Sequence, residues 1–179
     1  MENNTRTPMY RVCFICTGNI CRSPIGESVL RSRLREAGLD DRVAVDSAGT
    51  GDWHAGDEAD PRTVRVLAAH GYASRHIARQ FQPADFARRD LLLALDRGHL
   101  RTLRRWKAQW EQAGAADRTA GPELRLVREF DPAATPDRWD VPDPYYGALA
   151  GFEECLAMVE SAMPGLLLHI ESALEARAL

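Results

Sequence analysis

The stretch Cys16-Thr17-Gly18-Asn19-Ile20-Cys21-Arg22-Ser23-Pro24 decides the fold. It follows the apolar run 10–15, which is typical of a buried strand. Ser23 is an N-cap residue type and Pro24 is the residue preferred at the first helical position, so we expect a helix to open there. The stretch is therefore predicted to be a strand-to-helix loop with a cysteine at its start and an arginine at its end.

The residue types of this loop predict a cradle for an anion. Gly18 and Asn19 tolerate the positive φ that a tightly curled loop requires. A curled loop ahead of a helix turns its N–H groups inward, and the helix dipole adds positive potential, which suits phosphate. Arg22 can clamp two oxygens of the anion. Cys16 would lie beneath the anion, in a field that favours the nucleophilic thiolate, so the loop is predicted to bind a phosphate and attack its phosphorus.

The other cysteines leave room for different chemistry. Cys13 and Cys16 form a C-x2-C pair, which also occurs in thioredoxin-like and zinc sites. However, Cys13 lies inside the strand pattern, where it is typical of a small buried hydrophobe, and the chain has no second ligand pair. Cys155 stands alone. We therefore expect neither a metal site nor a disulfide scaffold, and a reducing compartment fits best.

The loop closely resembles the phosphate-binding loop of the low-molecular-weight protein tyrosine phosphatases. Further segments resemble the same family in the same order: 46–50 followed by Asp52-Trp53-His54, then His76-Ile77-Ala78-Arg79, then Asp143-Pro144-Tyr145-Tyr146. The resemblance implies a cytoplasmic phosphatase that needs no metal or cofactor. It also implies phosphotyrosine-containing proteins as substrates and phosphate as product or inhibitor.

The resemblance assigns catalytic roles. Cys16 is the expected nucleophile, and Arg22 stabilises the phosphate charge together with the loop N–H groups. Asp143 lies between two prolines that restrict its backbone. An aspartate there is often only a turn residue, but the resemblance favours a general acid. The Ser23 hydroxyl is expected to hydrogen-bond to the Cys16 sulfur.

The resemblance also assigns the surroundings of the site. The substrate-binding residues are expected to be Thr17, Gly18, Asn19, Ile20, Cys21, Ser23, Trp53, Tyr145 and Tyr146. Among them, Trp53, the two tyrosines and Ile20 would frame a deep slot that selects phosphotyrosine over the shorter phosphoserine. His76 could be a metal ligand or a base from its type alone, but the resemblance places it with Ser47 in a network that holds Asn19.

Cys21 is expected to be a redox partner of Cys16. The two lie near opposite ends of one curled loop, which allows disulfide reach despite their separation in sequence. Family members that carry both cysteines show reversible protection from oxidation. The alternative is that the Cys21 thiol merely packs under the loop.

The remaining pattern predicts an α/β protein. Strands are predicted at 10–15, 43–45, 91–95 and 124–127, with 46–51 as a polar loop. Helices are predicted at 23–38, 61–70, 98–110 and 151–163, with Pro164 and Gly165 breaking or kinking the last one before 166–176 resumes. This alternation implies a three-layer sandwich: a four-stranded parallel sheet with helices on both faces.

Length and charge narrow the function further. The 179 residues suit one domain at 10–179, after a loose N-terminal tail at 1–9. The net charge of −3 gives no reason to expect nucleic acid or a membrane surface as partner. The N-terminus does not resemble a signal peptide, and the basic run 101–107 is typical of a solvated helix face. Two alternatives remain: an arsenate reductase of the same fold, and a non-catalytic phosphoprotein-binding module.

Overall fold

A four-stranded parallel sheet forms the centre of the computed structural model, which describes residues 9–115 and 121–178. The predicted tail therefore lies outside the described residues except for Met9. The strands are β1 (Tyr10–Cys16), β2 (Val43–Gly49), β3 (Leu91–Ala94) and β4 (Glu123–Leu126). The helices are α1 (Arg22–Glu36), α2 (Pro61–Ala69), α3 (Arg97–Trp110) and α4 (Leu149–Arg177). Short irregular helical turns are Pro83–Arg88, Glu111–Ala115, Val127–Phe130 and Pro136–Arg138.

Helices cover both faces of the sheet, so the predicted three-layer architecture is confirmed. Side chains alternate along β1: Val12 and Phe14 join the core beneath α1, α2 and α4, whereas Cys13 and Ile15 join the core beneath α3. Gly26 lets α1 approach the sheet closely, because a Cβ there would lie 2.4 Å from the Phe14 ring. The close fit fixes the height of α1 above β1, and hence the shape of the loop between them.

The strand order β2-β1-β3-β4 determines where the site lies. From β1 the chain crosses to one side of the sheet, and from β3 it crosses to the other. The loops that leave these two adjacent strands therefore diverge, which opens a crevice at their carboxyl ends. The residues 16–23, hereafter the 16–23 loop, and Asp96 both lie at this crevice.

The expected N-cap of α1 is wrong. The helix begins at Arg22, and Cys21 occupies the cap position without a side-chain hydrogen bond to the helix. Ser23 lies in the first turn and its hydroxyl instead contacts Cys16 and Asn19. The serine at the start of this helix therefore belongs to the site and does not cap the helix.

The strand β2 is longer than predicted. It pairs with β1 from Tyr10↔Val43 to Cys16↔Gly49, so most of the expected polar loop 46–51 is strand. Asp46 is accommodated because it forms ion pairs with Arg79 and Arg89. Ionic pairing outside the strand thus overrides the low β-propensity of aspartate.

Of the break or kink predicted at Pro164, the break is wrong, because α4 is continuous from Leu149 to Arg177. Pro164 is exposed, so its ring lies on the outer face of the helix. Ala162, Met163 and Leu166 are fully buried on the other side, and this packing favours one helix. Within the described ranges, no helix combines the length and apolar character required to cross a bilayer.

Candidate active site

A pocket of about 420 Å³ opens where β1 and β3 end. It brings together residues that are far apart in sequence, most of them predicted site residues. The lining comprises Cys16, Thr17, Gly18, Ile20, Cys21, Arg22, Trp53, His54, Asp143, Tyr145 and Tyr146. Of these, His54 was not assigned to the site from sequence. Asn19, Ser23, Ser47 and His76 lie behind this lining and contact one another or the 16–23 loop.

The Cys16 sulfur lies 2.9 Å from the Ser23 hydroxyl oxygen. That oxygen also accepts a hydrogen bond of 2.8 Å from Asn19 Nδ2. Because Asn19 donates to the serine oxygen, the hydroxyl hydrogen of Ser23 is left to donate to the sulfur. A donor aimed at the sulfur stabilises negative charge on that atom.

Asn19 takes a left-handed conformation with φ 58°, the one positive φ among the described residues other than glycine. Its side chain supports this turn: Nδ2 also donates to Ser47 Oγ over 2.9 Å, and Oδ1 accepts from the Arg79 N–H over 3.0 Å. His76 Nε2 donates to the Asn19 carbonyl over 2.5 Å. Ser47 and His76 thus both contact the fully buried Asn19.

Glu27 completes this network and was missed from sequence. Ser47 Oγ donates to Glu27 Oε2, and His76 Nδ1 lies 3.6 Å from the same oxygen. Arg31 pairs with the other oxygen over 2.7 Å. The sequence did contain a signal for Glu27: it lies one helical turn after Ser23, on the buried face of α1. A buried carboxylate needs hydrogen-bond or ion-pair partners, so its position indicates a polar network.

Arg22 is buried and held from one side. Its Nη1 donates to Asp96 Oδ2 over 2.8 Å and to the Val141 carbonyl over 2.9 Å, while Nη2 lies 3.6 Å from Asp143 Oδ2. Burial alone would lower the pKa of Arg22, but Cys16, Asp143 and Asp96 outweigh it and raise the pKa. With Nη1 engaged, Nε and Nη2 remain as a fork for two oxygens of an anion.

Asp96 and His99 form a second support that sequence reasoning missed. Asp96 Oδ1 accepts from the His99 backbone N–H over 2.9 Å, and His99 Nδ1 lies 3.2 Å from the same oxygen. His99 Nε2 lies 2.9 Å from Thr17 Oγ1. The tautomer with its proton on Nδ1 is favoured, because that proton faces the Asp96 carboxylate. Nε2 then carries no proton and accepts a hydrogen bond from the Thr17 hydroxyl. Asp96 thereby connects Arg22 at one end of the loop with Thr17 at the other.

The rim of the pocket is aromatic and exposed. The accessible fraction is 74% for Trp53, 37% for Tyr145 and 92% for Tyr146. The two tyrosine rings meet edge to face at 4.8 Å. The Asp143 carboxyl is held locally by the Tyr145 N–H, which donates to Oδ1 over 3.1 Å. Large apolar rings that remain exposed around a polar base are typical of a binding surface.

The residues of 9–115 and 121–178 contain no group of three or more His, Cys, Asp or Glu side chains placed to hold a metal ion. The charged groups of the pocket instead engage one another. The donors that face its base are suited to an anion with several oxygens.

Titration of His99 should weaken the fold in acid. Burial lowers the pKa of His99 from 6.5 to about 4, despite the nearby Asp96. Below pH 6.5 His99 is protonated in the unfolded chain but stays neutral in the folded chain down to about pH 4. The free energy of unfolding therefore falls between pH 6.5 and 4, by up to roughly 3 kcal/mol. Chemical denaturation of wild type and His99→Gln at several pH values should show a shallower loss in the variant. Parallel losses would contradict this role for His99.

A family model and curated relatives match most of this chain. Residues 11–177 match the family described as low molecular weight phosphotyrosine protein phosphatase. A low molecular weight protein-tyrosine-phosphatase of Streptomyces coelicolor is 56% identical over 94% of this chain and 98% of its own length. The low molecular weight protein-tyrosine phosphatase A of Mycobacterium tuberculosis is 48% identical over 87% of this chain and 88% of its own.

Solved structures share the fold. A protein tyrosine phosphatase of Entamoeba histolytica superposes with a TM-score of 0.80 at 30% identity, over 92% of this chain and 98% of that one. The structure described as a Drosophila arginine phosphatase has a TM-score of 0.75 at 26% identity, over 89% and 96% of the two chains. The family match and these identities lead to one conclusion: the chain belongs to the low molecular weight phosphotyrosine protein phosphatase family.

Proposed function

We propose that this protein hydrolyses phosphotyrosine in proteins, and small aryl phosphates, through a cysteinyl-phosphate intermediate. The observation that carries the proposal is the convergence of Cys16, Arg22 and Asp143 on one pocket. It supplies a nucleophile, an anion clamp and a proton donor within one site. A module that only binds phosphoproteins needs neither the nucleophile nor the acid.

In the first step, Cys16 thiolate attacks phosphorus in line with the phenolic leaving group. The S–P bond forms as the P–O bond breaks, and Asp143 protonates the departing oxygen. Arg22 and the N–H groups of the 16–23 loop stabilise the charge on the equatorial oxygens. Arg22 can do so without reorganising, because Asp96 and the Val141 carbonyl already hold it.

In the second step, water displaces the cysteine. Asp143, now a carboxylate, takes a proton from the water, which attacks phosphorus and releases phosphate. Cys16 leaves as a thiolate, and the hydrogen bond from Ser23 makes it a better leaving group. Ser23 therefore assists both halves of the cycle.

The aromatic rim supports a phenolic substrate. Trp53, Tyr145 and Tyr146 can pack against an aryl ring, while the phosphate reaches the buried base of the pocket. A phosphoserine side chain would be too short to contact the aromatic rim while its phosphate lies at the base of the pocket. The relatives named as tyrosine phosphatases support this substrate class, and the Drosophila relative named as an arginine phosphatase makes phosphoarginine the comparison substrate of choice.

The arsenate-reductase alternative receives little support from the cysteines. Such chemistry normally relays electrons from the nucleophile through two further cysteines, and the only cysteine that follows Cys21 in the sequence is Cys155. Cys155 is buried in α4, and burial raises its pKa to about 12, which keeps it as an unreactive thiol. An arsenate-reduction assay beside the phosphatase assay separates the two activities.

Cys16→Ser should abolish hydrolysis of aryl phosphates and phosphotyrosine peptides yet retain phosphate binding, because Arg22 and the loop amides remain. Steady-state kinetics and phosphate titration by calorimetry measure the two properties. Cys155→Ala is the matched control for loss of a buried thiol and should remain active. Turnover by Cys16→Ser within about tenfold of wild type, against the 10²-fold or greater losses usual for catalytic groups, would reject Cys16 as nucleophile.

Asp143→Ala should lower kcat/KM on phosphotyrosine far more than on p-nitrophenyl phosphate, whose leaving group needs little protonation. General acid catalysis is typically worth about 10²–10⁴-fold, which sets the expected loss on phosphotyrosine. The comparison uses kcat/KM because this parameter reports the step that cleaves the P–O bond. Equal losses on both substrates would remove Asp143 from the acid role.

We propose that Cys21 protects Cys16 from irreversible oxidation. It lines the same pocket as Cys16, although both residues are nearly inaccessible. Burial, followed by the nearby Asp60, raises the pKa of Cys21, so the resolving group is a thiol. Peroxide would oxidise Cys16 thiolate to sulfenic acid, and the Cys21 thiol would then form the S–S bond and release water.

After mild peroxide treatment and then a thiol reductant, wild type should recover most of its activity and Cys21→Ser much less. The variant lacks the partner that stops Cys16 short of irreversible sulfinic acid. Residual activity after reduction and the mass of the Cys16 peptide are the measurements, with Cys155→Ala as control. Equal recovery in wild type and Cys21→Ser would reject the redox pair.

A further inference from the structure

The first turn of α2 contacts the 16–23 loop directly. The Asp60 backbone N–H donates to the Ile20 carbonyl over 2.8 Å. The Thr63 hydroxyl donates to the Cys21 carbonyl over 3.3 Å. These two bonds hold α2 against the back of the loop that carries the nucleophile.

Arg62, from the same turn, reaches the opposite side of the pocket. Its Nη1 donates to the Gly147 carbonyl over 2.9 Å, and its Nη2 donates to the Tyr145 carbonyl over 3.0 Å. Both carbonyls belong to residues 141–147, hereafter the 141–147 loop, which carries Asp143. One guanidinium therefore holds two backbone groups just beyond the proposed acid.

The orientation of Arg62 is itself fixed. Asp60 accepts from Nε over 3.0 Å and from Nη2 over 2.8 Å, and its carboxyl is nearly buried. The guanidinium lies over the Phe152 ring at 4.5 Å and near the Tyr145 ring at 5.8 Å. Because a planar fork held by a carboxylate and stacked on a ring has little freedom, its carbonyl contacts have a defined position.

The 141–147 loop needs such an external support. The side chain of Asp143 is 46% exposed, and its contacts among the described residues are the Tyr145 N–H and the more distant Arg22. The loop contains a turn in which the Gly147 N–H donates to the Pro144 carbonyl, but no helix or strand. Proton transfer requires Asp143 within hydrogen-bond reach of the leaving oxygen, so a small displacement of the loop would remove its effect.

We propose that Arg62, oriented by Asp60, is a positioning residue that sets the distance between Asp143 and the nucleophile Cys16. The first turn of α2 acts as a bracket, with one side on the 16–23 loop and the other on the 141–147 loop. Arg62 touches no reacting atom and works through the backbone that carries Asp143. The inference rests on the proposed phosphatase function.

The test uses Arg62→Ala and Arg62→Lys, with Arg125→Ala as matched control. Arg125 is also paired with carboxylates, Glu123 and Glu129, and also lies over a ring, Phe130 at 4.9 Å, but it does not line the pocket. It therefore reports the cost of losing a paired and stacked arginine away from the site. Arg62→Lys keeps the positive charge, but an ammonium cannot reproduce the fork.

Arg62→Ala should lower kcat/KM on phosphotyrosine by roughly 10-fold or more, and by no more than the factor of about 10²–10⁴ that the acid itself supplies. It should change kcat/KM on p-nitrophenyl phosphate and the inhibition constant of phosphate much less. Arg62→Lys should show the same selective loss, and Arg125→Ala should show none. If Arg62 only stabilised the fold, its loss would lower the unfolding temperature. It would also lower kcat/KM on phosphotyrosine and on p-nitrophenyl phosphate by the same factor.

A double-mutant cycle gives the second readout. In the Asp143→Ala background, Arg62→Ala should cause no further loss on phosphotyrosine, because the group it positions is gone. Independent, multiplicative losses, or equal losses on the two substrates in either Arg62 variant, would overturn the inference. An inactive wild type would instead reject the proposed function, so the two failures are distinguishable.

Discussion

The structure depends on a left-handed turn at Asn19 that holds the 16–23 loop curled. Such a turn costs free energy for a residue with a Cβ. The side chain of Asn19 offsets this by binding Ser23 and Ser47 and by accepting the Arg79 N–H. The loop is therefore shaped before substrate binds, so binding energy is not consumed in ordering it.

Charge around the loop is arranged so that the buried arginine keeps one edge free. Asp96 and the Val141 carbonyl take Nη1 of Arg22, while Asp143 is more distant, at 3.6 Å from Nη2. A closer second carboxylate would compete with phosphate for the fork. Asp96 also orients His99, whose contact with Thr17 steadies the other end of the loop. One carboxylate at the end of β3 thus supports the cradle at both ends.

The sequence was most informative where chemistry and local structure coincide. A cysteine, a glycine, an asparagine and an arginine between a strand and a helix predict an anion cradle without further information, and the alternation of elements predicts the parallel sheet. The supports were missed because they are nonlocal: Asp96, His99 and Glu27 matter only through residues that the fold brings to them. Asp96 could have been found, since it follows β3 at the same edge of the sheet as Cys16.

The errors have a common cause as well. Ser23 has the residue type of a cap and Pro164 that of a helix breaker, and both assignments are sound when only neighbours in sequence are considered. Tertiary contacts decide otherwise: the Ser23 hydroxyl is required at Cys16, and buried residues on either side of Pro164 keep α4 continuous. Local preferences are worth about 1–3 kcal/mol, which such packing readily exceeds.

The position of Asp143 shows how the fold joins distant segments into one site. The 141–147 loop is anchored at its start, where the Val141 N–H donates to the Leu95 carbonyl over 2.9 Å and the Val141 carbonyl accepts from Arg22. It is anchored at its end by Arg62, through the carbonyls of residues 145 and 147. Asp143 lies between these anchors and between two prolines, so its exposed carboxyl is carried by restrained backbone. An acid can then remain accessible to water for the second step and still be held in place for the first.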